Sequence, residues 1–89
     1  MQKSKYLIIV FRTKTEVFSL IQALNRMGLT ATTTGTPKEA GIGCGIAVKT
    51  DVVNLSVVRQ IVSGGGYDGF FGVYLVLTDG LRTSKSKVL

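Results

Sequence analysis

The sequence contains no histidine and no tryptophan, a single cysteine, a single proline and only five acidic residues. Each shortage excludes something. Without histidine there is no Ser-His-Asp or Cys-His catalytic arrangement and no histidine-held metal. One cysteine, Cys44, rules out a disulfide within the chain and any cysteine-rich metal site. Charged residues are sparse at 18%, so more of the surface than usual is apolar or merely polar, which favours a homo-oligomeric contact. Long hydrophobic runs are missing too. The run from Tyr6 to Phe11 stops after six residues at Arg12, short of the roughly 7–15 apolar residues of a secretory signal. The longest, Phe70 to Leu77, is far below the ~20 residues of a membrane-spanning helix. These absences lead to an expected cytoplasmic location with no membrane partner.

What is present is a basic, glycine-rich chain of 89 residues with a net charge of +6. That length suits one domain, expected over residues 1–78, with a polar basic tail over 79–89 that looks unanchored. Lys3 and Lys5 precede the first apolar run, and Arg82, Lys85 and Lys87 lie in the tail. With about half of the excess charge at the ends, a solubilising role is the simpler reading and nucleic acid is not the expected partner.

Tyr6 to Phe11 is apolar throughout, as for a central strand covered on both faces. Thr13 and Glu16 have the spacing of a capping box. Val17, Leu20, Ile21, Leu24 and Met27 follow at helical period, with Gly28 as the left-handed stop. Leu29 to Thr34 resembles an edge strand, and Ile46 to Lys49 alternates like another. Asp51 or Asn54 opens a second helix bearing Leu55, Val58, Ile61 and Val62. Ser63 to Gly69 forms a glycine-rich turn, and Phe70 to Leu77 the last strand. The order βαββαβ with right-handed crossovers predicts an α+β, ferredoxin-like sandwich: a four-stranded antiparallel sheet ordered 4-1-3-2 with two helices on one face. That topology brings three loops to one sheet edge, Arg12 to Lys14, Gly35 to Cys44, and Ser63 to Gly69.

Gly41, Gly43 and Gly45 alternate with Ile42 and Cys44 and open a strand, whereas a dinucleotide fingerprint opens a helix, so no nucleotide site is read here. A lone cysteine ahead of an apolar strand reads first as a small buried hydrophobe. Against that, Gly43 and Gly45 leave the thiol unshielded. The topology also sets Cys44 near the first helix's positive end, with Arg12, Lys14 and Lys38 as nearby cations and Glu39 as a countering charge. Tyr6, Phe70 and Tyr74 could form an aromatic platform for RNA, but Cys44 to Lys49 adds no aromatic to it.

Thr36-Pro37-Lys38-Glu39 followed by Cys44-Gly45-Ile46-Ala47 resembles the selenium/sulfur carrier protein-like family of small bacterial domains. Its pattern is a Thr-Pro-Arg/Lys-Glu turn, a short serine-rich stretch, then Cys-Gly and an aliphatic strand; the resemblance covers roughly residues 6–77. Cys44 falls on the family cysteine. Gly41-Ile42-Gly43 departs from the pattern, where serines are usual. The resemblance implies a monothiol carrier that takes sulfur or selenium from a donor protein and yields it to an acceptor, with no cofactor and no metal. The competing readings are a regulatory or oligomerisation module with Cys44 merely packed, and a basic nucleic-acid binder.

Overall fold

The computed structural model describes residues 3–41 and 45–89. Its centre is β1 (Lys3–Phe11), hydrogen-bonded to a strand on either side. The all-apolar stretch explains that position, because both faces are covered. Leu7, Ile9 and Phe11 enter a core under the helices, while Ile8 and Val10 enter a second cluster on the opposite face. β1 begins three positions before Tyr6, as Lys3, Ser4 and Lys5 pair with Asp79, Thr78 and Leu77.

α1 (Lys14–Arg26) starts on Thr13, whose hydroxyl accepts from the Glu16 amide at 3.3 Å. It ends in a Schellman motif. Gly28, at φ 81°, donates to Asn25 O, and Leu29 donates to Leu24 O, both at 3.0 Å. Leu24 and Leu29 pack in the same core, so the turn closes on an apolar contact. β2 (Ala31–Gly35) is the edge strand. A one-turn 3-10 helix over Lys38–Ala40 leads towards β3 (Ile46–Asp51).

Of the two residues expected to open the second helix, Asp51 caps a 3-10 turn over Val52–Asn54, its Oδ1 accepting from the Val53 amide at 3.1 Å. α2 (Leu55–Ser63) continues from that turn. Asn54 instead uses its side chain inward. It donates to Thr50 Oγ1 at 2.9 Å, and that hydroxyl donates to Thr30 O at 2.8 Å. The chain of bonds lets both buried polar residues, Thr50 and Asn54, keep partners. Val17, Leu20 and Leu24 of α1 and Val58 of α2 fill one core, so both helices lie on one face of the sheet.

The expected four strands are present in the expected order, but the sheet has five. β4 (Phe70–Asp79) is followed by β5 (Arg82–Lys87), giving β2-β3-β1-β4-β5, antiparallel throughout. The stretch read as an unanchored tail is therefore a strand. Its residues are all exposed, so no apolar period announced it. Ladder bonds to β4 hold it, and they continue past the strand as Val88 donates to Val73 O at 2.8 Å. No helix among the described residues is long and apolar enough to cross a membrane.

The second sheet face is not left bare for a partner subunit. Ile8, Val10, Ala47 and Val76 are buried there, and Ala40 from the β2–β3 connection packs against them. Lysine stems cover more of it. Lys49 Nζ lies 4.4 Å from the Tyr6 ring centroid, and Lys87 Nζ lies 4.5 Å from that of Phe71. The aromatic platform, already discounted in the sequence for want of an aromatic over Cys44 to Lys49, is not assembled among the described residues either. Phe70 packs on the helix side, Tyr74 is buried, and Tyr6 lies beneath Lys49.

Candidate functional site

β1 and β2 end, and β3 and β4 begin, along one edge of the sheet. The Arg12 amide donates to Gly69 O at 2.9 Å, which ties the β1–α1 loop to the α2–β4 turn. Glu16 tightens the joint. Its Oε1 accepts from the Thr13 hydroxyl at 2.7 Å and its Oε2 from the Gly69 amide at 2.6 Å. The capping-box residues thus do something local spacing did not reveal: the glutamate spends an oxygen on a turn 53 residues away. Ser19 and Tyr67 share a hydroxyl–hydroxyl bond of 3.1 Å, and the Tyr67 and Phe11 ring centroids are 5.5 Å apart. Arg12 and Lys14 flank this clamp with exposed side chains.

The third loop closes on itself at a neck. The Thr36 amide donates to Gly45 O at 3.4 Å, next to the paired Gly35 and Ile46. Gly45 has φ 88°, a left-handed conformation that makes glycine the fitting residue where the chain enters β3. Pro37 is buried, and after the 3-10 turn Gly41 ends the described stretch at φ 68° with its amide on Lys38 O at 3.1 Å. Thr36 Oγ1 is buried with no hydrogen-bond partner among the described residues.

Arg12 and Lys14 therefore stand at the start of α1, and Thr36, Pro37, Lys38 and Gly45 share one connection. The described part of the connection folds over the face opposite the helices, where Lys38 lines a groove of about 540 Å³ with Tyr6, Ile8, Thr34 and Lys85. Gly43 and Cys44 lie outside the described residues, so the expected approach of Cys44 to the start of α1 falls there too. Glu39 belongs to the 3-10 turn. Sequence reasoning missed Glu16 and Gly69 as a long-range pair, and Lys85 and Lys87 as members of the sheet. The alternation Lys85-Ser86-Lys87 was the available signal for a strand.

The fold and this loop define a small antiparallel α+β sandwich whose β2–β3 connection carries the chain's lone cysteine in its sequence. Within that class the chain belongs to the family described as "Putative Se/S carrier protein-like", whose pattern matches residues 6–69. The match runs from β1 to the turn before β4 and includes Cys44. No curated protein and no solved structure matches the chain.

Proposed function

We propose that the protein is a monothiol carrier that holds sulfur or selenium on Cys44 and passes it to a partner protein. The observation that carries this reading is family membership over a stretch that contains the chain's only thiol. The chemistry needs no second residue of the same kind. The Cys44 thiolate attacks the terminal sulfur of a donor persulfide, the donor's S–S bond breaks, and the donor leaves as a thiolate. Cys44 then holds S–SH, or S–SeH from a selenopersulfide donor. An acceptor nucleophile attacks that terminal atom and returns Cys44 to the thiolate, with no net oxidation in either step. A chain with one cysteine has no resolving thiol, so a dithiol oxidoreductase cycle within one subunit is ruled out.

The structure describes the two ends of the connection whose sequence carries Cys44. The neck between Thr36 and Gly45 fixes the loop's two ends on rigid strands. Intact-mass spectrometry of the protein purified from its own host tests the proposal. A fraction carrying one added sulfur or selenium, released by dithiothreitol and absent from Cys44→Ser, is expected. A native Cys44 that gains no such mass from a cysteine desulfurase and resists alkylation until unfolding would overturn it.

A further inference from the structure

The groove beside the β2–β3 connection has a composition that the thiol chemistry does not use. Tyr6 and Ile8 of β1 form its floor, Thr34 and Lys38 one side, and Lys85 of β5 the other. The cross-strand pairs Tyr74–Lys87 and Val76–Lys85 put both β5 lysines on the face that holds Tyr74 and Val76. With Lys38 and Lys49, four lysines stand on or beside this face, and Asp51 sits at its far end in register with Tyr6. Lys85 and Lys87 lie outside the family match, which ends at residue 69. This wall of the groove is therefore a feature of the chain beyond the matched part.

We propose that this groove binds an acidic, extended segment of a partner protein. It deepens the carrier reading and rests on it for the occupant being a protein. Charge complementarity gives the sign: lysines border an open groove with an apolar floor, which suits carboxylates spaced along a peptide. A single-stranded nucleic acid would meet the same cations but needs open ring faces for its bases. Here the Tyr6 ring is occupied by Lys49, the Phe71 ring by Lys87, and Tyr74 is buried.

The full-length Cys44→Ser protein is titrated with a fluorescein-labelled oligoglutamate peptide, and with an oligouridylate of equal charge, by fluorescence anisotropy. Lacking the thiol, this protein reports the groove alone, so failure here and failure of sulfur uptake in the wild type are separate results. Oligoglutamate is expected to bind more tightly than oligouridylate. Lys38→Glu with Lys85→Glu should weaken it by at least about tenfold. Arg26→Glu with Arg59→Glu makes the same charge change on the helical layer and should cost no more than about threefold. Equal losses in the two double variants would reduce the effect to net charge and overturn the proposal. Tighter oligouridylate binding would overturn it in favour of a nucleic-acid face. If the reversal variant does not fold, Lys38→Gln with Lys85→Gln replaces it. Retention of full affinity there, with an unchanged circular dichroism spectrum, also overturns the proposal.

Discussion

At Gly69 the space for a side chain is already taken. A Cβ there would overlap the carboxylate of Glu16, the group that accepts the Gly69 amide at 2.6 Å. Gly69→Ala therefore pushes aside the end of the flexible Glu16 side chain and weakens its hydrogen bond, and thermal unfolding should show a loss of at most about 1.5–3 kcal/mol, the value for losing a bond to a charged acceptor outright. Glu16→Gln keeps the shape and should cost less. Thr36 presents the opposite case. Its buried hydroxyl lacks a partner among the described residues, and such a group is costly to keep. Thr36→Val should stabilise the protein by about 1 kcal/mol in urea denaturation. A destabilised variant would show that the hydroxyl is partnered in solution. Only part of this was legible in the sequence. Thr13 and Glu16 announced a cap, and Gly28 a helix stop. That Glu16 also holds Gly69 depends on where the α2–β4 turn lands in space, which no local spacing records.

Among the elements, β5 departs most from what the sequence suggested. The inner strands and both helices carry apolar residues at period 2 or 3.6, because each buries a face. β5 buries none, so its Arg82-Thr-Ser-Lys-Ser-Lys87 run has the composition of a solvated tail. The strand is held from outside its own sequence. Ladder bonds tie it to β4, and the Lys87 stem crosses Gly72 to reach the Phe71 ring. A Cβ at Gly72 would lie 2.6 Å from Lys87 Cε, so the missing side chain on β4 makes room for the lysine on β5. An element with backbone bonds and little apolar burial opens well below the global unfolding energy. In native-state hydrogen exchange, the β5 amides bonded to β4 should exchange at least about a hundredfold faster than those of Leu7 and Ile9, an opening about 2.8 kcal/mol easier. Equal protection would mean that β5 unfolds with the core.

For the molecule as a whole, the two faces of the sheet are solved in different ways. Helices cover one, while the β2–β3 connection and lysine stems cover the other. In the sequence, sparse charge favoured a homo-oligomeric contact, and Tyr6 to Phe11, apolar at every position, needed cover that helices give on one side only. The loop's contribution was hidden because a single buried alanine, Ala40, carries no periodic signal. With Ile8 at 4% exposure, and Val10, Ala47 and Val76 at 0%, little apolar area remains to drive pairing of two such faces. The exposed charged groups described there are mostly cations, Lys38, Lys49, Lys85 and Lys87, against Asp51 at the far end. Stacking two copies face to face would set like charges against one another in a partly desolvated gap. The free protein should therefore sediment as a monomer at micromolar concentration in low salt. Raising the salt screens the repulsion and is the condition under which pairing through this face would first emerge. A dimer already present in low salt, and abolished by Lys49→Glu, would show that the lysines meet acidic groups on a second copy instead.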